Sequence, residues 1–173
     1  MPLAVTHVLL TIILVDLYRD YMAKHKRHFT LFTVLVAGIA GLLPDIDIPL
    51  TWLLALSGIS APALAHGGIT HTPAFGALFL VPALILWHKK KRKAGMLFFV
   101  VAFGVFFHLL LDYVLGGGRS EGIMFFWPFA QETFRIHLLA RFGSLDVPAA
   151  LDAIILLAWL AHEELKHKIR DFV

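Results

Sequence analysis

The strongest constraint on this chain is the character of its apolar runs. Stretches such as "FTLFTVLVAGIAGLL" (29–43) and "AGMLFFVVAFGVFFHLLLDYVL" (94–115) are greasy all round, not on one helical face. A water-soluble fold of 173 residues has too little chain to cover several such helices on every side. A bilayer solvates them directly, provided each backbone group is bonded within its own segment. Composition points the same way, with 59% hydrophobic residues, 16% charged residues and a mean hydropathy of +0.80. The expected fold is all-α: a polytopic membrane helix bundle, one transmembrane domain over residues 1–173.

Five segments are expected to enter the bilayer, roughly 3–18, 29–43, 73–88, 94–115 and 149–165. Only 94–115 qualifies on length alone, since a full span wants about 20 apolar residues. The N-terminal run lacks a basic leader and a small-x-small cleavage site, so it reads as a retained first helix. Basic clusters fix the expected topology: "KHKRH" at 24–28, "KKKRK" at 89–93 and "KHKIR" at 166–170. If all three face the cytoplasm, an even number of spans separates the first two. That leaves 50–64, with Pro49, Gly58 and Pro62, as a re-entrant or interfacial segment. A six-span layout is the competitor. In either, the net charge of +3 is accounted for by these flanks, and no nucleic-acid partner is needed.

Within this greasy frame the polar residues are out of place. "PDID" puts Asp45 and Asp47 between Pro44 and Pro49, which reads as a stiff turn. "HGGITHT" brings His66, His71, Thr70 and Thr72 to the start of the third span. His108 and Asp112 share one helical face at i, i+4. His7 lies near the outer end of the first span. The charge-derived topology sends all seven His and Asp residues to the non-cytoplasmic side. Buried imidazoles and carboxylates in a bilayer are costly unless paired or metal-bound. With no cysteine in the chain, a metal site must use His and carboxylate donors, which suits zinc, with manganese or iron as alternatives. The expected ligand set is His7, Asp45, Asp47, His66, His71, His108 and Asp112. That many ligands suits two ions sharing a carboxylate or hydroxide.

"GLLPDIDIP", "HGGITHT", "HLLLDY" and "FFWPF" resemble, in that order, the motifs of a bacterial and archaeal family of inner-membrane metal-dependent hydrolases. Some of its members are labelled LexA-binding hydrolases. The resemblance covers about residues 7–130. The family is similar in motif order to zinc-dependent phospholipase C and related single-strand nucleases. That more distant likeness implies metal ligation by His108, Asp112 and Asp45 or Asp47, and phosphoester hydrolysis. The family pattern reads His-Arg-Gly-x-Thr-His-Ser, whereas here Gly67 stands in place of the arginine and Thr72 in place of the serine. Arg119, Arg135 or Arg141 could take over an anion-binding role.

The leading expectation is a membrane metal hydrolase of a phosphoester or lipid-linked substrate, working at the non-cytoplasmic face of the cell membrane. Asp47, His66 and Thr72 are its expected catalytic groups. The rival is a transition-metal transporter or a non-catalytic metal-binding membrane protein. The apolar "AGMLFFVVAFGVFF" argues against transport, because a path needs polar groups throughout. The C-terminal "AHEELKHKIRDFV" is expected to be a solvated amphipathic tail. Its His162 and His167 are five apart, one too many for a zincin pair. Oligomeric state is left open.

Overall fold

The structure, a computed structural model, describes residues 4–23, 28–64, 66–115, 122–136, 138 and 146–167. Arg119 and Arg141 lie outside them. The described residues are helical and contain no strand beyond one isolated antiparallel bridge, Ile123 to Phe134. Helix α1 (Ala4–Leu17) runs into a π-helical turn, Tyr18–Met22. Helix α2 (Leu31–Ala40) is followed by a 3-10 turn, Pro44–Ile46, and by α3 (Asp47–Leu56). Two more 3-10 turns, Pro62–Leu64 and Ile69–His71, lead to α4 (Pro73–His88). Helices α5 (Arg92–Leu115) and α6 (Asp146–His167) complete the set.

The stiff non-helical turn expected at 44–49 is corrected. Asp47 opens α3, and Pro49 falls in its first turn, where the missing N–H has no intrahelical partner to lose. Helix α4 starts as its sequence announces, with Pro73 in the first turn and Thr72 as cap; the Thr72 hydroxyl accepts from the Phe75 N–H at 3.3 Å.

Helix α5 is the axis of the bundle and packs on α4, α2 and α1, while α6 packs on α1. Small residues set the closest approaches. A Cβ on Gly104 of α5 would sit 2.7 Å from the Ala37 carbonyl and 2.8 Å from the Ala40 Cβ of α2. One on Gly41 would sit 3.0 Å from Thr11 Oγ1 and 3.1 Å from the His7 carbonyl. These contacts give the helix directions. α1, α4 and α6 begin at the end where α2 and α5 finish. The excursion through α3 leaves that end and returns to it, because His66 on its return meets Asp47 at its start.

Burial is inverted relative to a soluble protein. Leu31, Phe32, Leu35 and Ile39 of α2 and Leu78, Val81, Leu84 and Ile85 of α4 are exposed, while Thr11, Asp47, His71 and His108 are buried. Such a surface suits a lipid solvent. Among the described residues one helix, α5, is by length and composition apolar and long enough to cross a membrane alone. Its 24 residues span about 36 Å at 1.5 Å per residue. Residues 31–40 and 44–56 qualify only together, across a 52° bend. Five independent spans are therefore not established: α1, α2 and α4, at 14, 10 and 16 residues, are each shorter than the apolar thickness of a bilayer.

Of the C-terminal segment 161–173, residues 168–173 lie outside the described ones. The described part keeps exposed positions, such as Leu165, but is tied to the Tyr18–Met22 turn. Tyr21 Oη and His162 Nε2 lie 2.9 Å apart. Lys166 Nζ lies 3.5 Å from Asp20 and 3.3 Å above the Tyr21 ring.

Candidate metal centre

At the end where α1 and α4 begin and α5 finishes, four ligand-type atoms converge. His71 Nε2 is 3.3 Å from His108 Nε2, 3.5 Å from Asp45 Oδ1 and 3.6 Å from Asp112 Oδ2. His108 Nε2 is 3.6 Å from Asp45 Oδ1 and 3.1 Å from Asp112 Oδ2. A tetrahedral ion with bonds of about 2.0–2.1 Å would hold its ligands about 3.3–3.4 Å apart. These five separations lie at or near that spacing. Asp45 Oδ1 and both oxygens of Asp112 are buried yet make no hydrogen bond, although three imidazoles face them. Buried carboxylate oxygens without donors are costly. A cation at their common centre would satisfy them, so the residues present fit a metal ion.

Asp112 extends the site. Its other oxygen, Oδ1, lies 3.4 Å from His7 Nε2, and the His7 ring stacks on His108 with centroids 3.9 Å apart. His7, His108 and Asp112 form one group able to hold an ion, and Asp45, His66 and His71 a second. The ligand-bearing elements are α1, the 44–46 turn, the 66–71 loop and α5, so the site draws on the whole bundle end.

A second layer aims these ligands. The His108 Nδ1–H donates to the Gly41 carbonyl at 2.7 Å, which leaves Nε2 with its lone pair toward the quartet. Asp47 has a fully buried side chain and faces ring nitrogens of two histidines, His71 Nδ1 at 3.3 Å and His66 Nδ1 at 3.0 Å. Thr70 Oγ1 donates to Asp47 Oδ2 at 3.1 Å. Asp47 thus stands behind His71, away from the four converging atoms, as an orienting carboxylate. Burial disfavours a charged His71, but the Asp45, Asp47 and Asp112 carboxylates overcome it and raise the imidazole to about 9.

The structure gathers all seven sequence-selected His and Asp residues into this one network. Thr72 has a structural position next to His71: its hydroxyl donates to the Ile69 carbonyl at 2.8 Å and caps α4. Gly67 adopts φ +81°, a left-handed backbone that suits glycine, and a Cβ there would meet nothing within 4 Å. Two contributors escaped sequence reasoning. The Gly41 carbonyl is a backbone group with no residue signature. Asp152 of α6 is buried and accepts from Thr6 Oγ1 at 2.9 and 2.8 Å, beside His7.

Next to the site stands the aromatic turn 125–129. Ile123 and Phe134 exchange backbone hydrogen bonds at 3.0 Å, and Phe125 packs edge-on against Tyr113, the neighbour of Asp112. Phe129, at its tip, is 95% exposed.

Residues 1–168 match the family model of the YdjM inner membrane protein. The chain belongs to this family. The bilayer is thereby established as the setting of this YdjM-family protein, and the match carries no statement about its chemistry. No curated protein and no solved structure matches the chain.

Proposed function

We propose that this inner membrane protein is a metal-dependent hydrolase of a phosphoester or lipid-linked substrate. The observation that carries the reading is the convergence of Asp45, His71, His108 and Asp112, with five separations of 3.1–3.6 Å between ligand-type atoms and buried carboxylate oxygens that lack donors. Two ions, zinc first, are the proposed cofactors, and His7, Asp45, His71, His108 and Asp112 would hold them. When bound, they would lower the pKa of a water and polarise a phosphoryl or acyl oxygen. His66 is the proposed general base. Asp47 orients its ring, and a ring nitrogen of His66 lies within 4.8 Å of donor atoms on Asp45 and His71. His66 and Asp45 are also the partly exposed members of the cluster, so substrate would enter on their side.

The proposed topology has α1, α2, α4, α5 and α6 crossing in alternation, with α3 as a re-entrant hairpin and the site on the non-cytoplasmic face. The basic residues at the opposite end support this orientation. The exposed Phe129 tip favours a lipid or lipid-linked substrate, because an aromatic turn beside the site would sit in the membrane interface.

Transport is disfavoured by what lies inside the site. The core cluster of Val15, Phe29, Val34, Ala37 and Val100 is apolar, and Asp16 beyond it is held by Arg19 at 3.3 Å. The deciding experiment is metal analysis of purified protein with phosphodiesterase and lipase assays. Wild type should carry metal and turn over substrate; Asp45→Ala and His108→Ala should lose both. Metal uptake into proteoliposomes without any turnover would sink the hydrolase reading.

A further inference from the structure

We propose that the groove between α1 and α5, at the end of the bundle opposite the His/Asp cluster, binds an anionic phospholipid. The groove has a volume of about 800 Å³ and almost wholly apolar walls, among them Leu14 and Tyr18 of α1, Phe29 ahead of α2, and Met96, Val100 and Phe103 of α5. That volume lies in the range of pockets that hold an organic ligand. Positions 96, 100 and 103 share one helical face, and Arg92 and Lys93 stand one turn earlier on it. Lys91, Arg92 and Lys93 are exposed and line a smaller pocket of about 420 Å³ at that end. An apolar slot with cations one helical turn beyond its Met96 end fits an acyl chain joined to an anionic headgroup. A zwitterionic lipid would bring its own cation toward the same lysines.

A second copy of the chain is a poorer occupant. It would have to offer carboxylates to Lys91 and Lys93, and two of the described acids at this end, Asp16 and Asp20, are already engaged. Asp16 is held by Arg19, and Asp20 by Lys166. Arg92 lies over the Trp87 ring at 4.2 Å and has a packing role, so the two lysines are the residues to change.

The test uses full-length protein in mild detergent, offered equal amounts of phosphatidylglycerol and phosphatidylcholine and read by native mass spectrometry. Wild type should retain one phosphatidylglycerol per chain in preference to phosphatidylcholine. At about fivefold per lysine, K91Q/K93Q should cut that preference about 25-fold. Its metal content should not change. Leu14→Trp fills the slot without altering charge and should reduce retention of both lipids, with its fold checked by circular dichroism. Because the two lysines are exposed, the double variant remains informative even if Leu14→Trp misfolds. Equal retention of the two lipids, a preference that survives K91Q/K93Q, or a lipid-free dimer would overturn the proposal.

Discussion

Asp47→Asn tests the layered design of the metal centre. The substitution is isosteric at a fully buried position, so no cavity opens. It removes a negative charge facing His71 Nδ1 at 3.3 Å and His66 Nδ1 at 3.0 Å. The amide cannot present acceptor oxygens to both rings and to Thr70 as the carboxylate does. The His71 ring loses the acceptor that keeps its proton on Nδ1 and its lone pair on Nε2. Loss of such an orienting carboxylate costs about 10–100-fold in metal affinity, or about 1.4–2.7 kcal/mol. Competition against a fluorescent zinc chelator reads this directly, with stoichiometry from elemental analysis. The expected result is weaker binding at unchanged stoichiometry. Affinity within twofold of wild type would refute the orienting role. Loss of one whole ion would refute it in the other direction and make Asp47 a ligand.

Three further outcomes are expected. In chelator, His71 titrates near 9 in the folded protein against an ordinary 6.5, so its stabilising contribution is complete below about pH 6.5 and is lost as pH rises through 9. The melting temperature of metal-free protein should fall between pH 6 and pH 9.5, and zinc, which replaces the proton, should narrow the gap. Gly104→Val should push α2 off α5, because its Cβ lands 2.7 Å from the Ala37 carbonyl; a loss of about 1–3 kcal/mol, read by thermal unfolding, is expected. Thr72→Ala should cost about 1 kcal/mol of stability through loss of the α4 cap while leaving turnover per folded molecule intact. Loss of turnover at unchanged melting temperature would instead give Thr72 a catalytic role.

Much of this was legible in the chain because it is local. The His108–Asp112 pair follows from helical spacing, the start of α4 from Thr72–Pro73, and the length of α5 from an uninterrupted apolar run. What was not legible depends on distant packing. Asp45 and Asp47 look equivalent in "PDID", yet one turns its carboxylate into the quartet and the other behind His71. A 3-10 turn followed by an α-helix decides this, and two prolines suggested no helix at all. The aiming of His108 depends on a carbonyl brought close by Gly41, whose missing side chain lets α1 and α2 meet. Asp152 is one acid in a leucine-rich helix, and only its meeting with Thr6, 146 residues away, gives it a place. The latch of α6 on α1 stayed hidden for the same reason, since Tyr21 and His162 are 141 residues apart.

Every residue of the ligand cluster lies between His7 and Asp112, ahead of α6 in the chain. The order of synthesis therefore matters. Once α5 has entered the membrane, all the His and Asp residues of the proposed metal centre are in place while α6 is still on the ribosome. A helix arriving last, with Asp152 meeting Thr6 beside a finished centre, acts as a clasp and not as a wall. Truncation ahead of α6 should then leave a nascent chain that already captures metal.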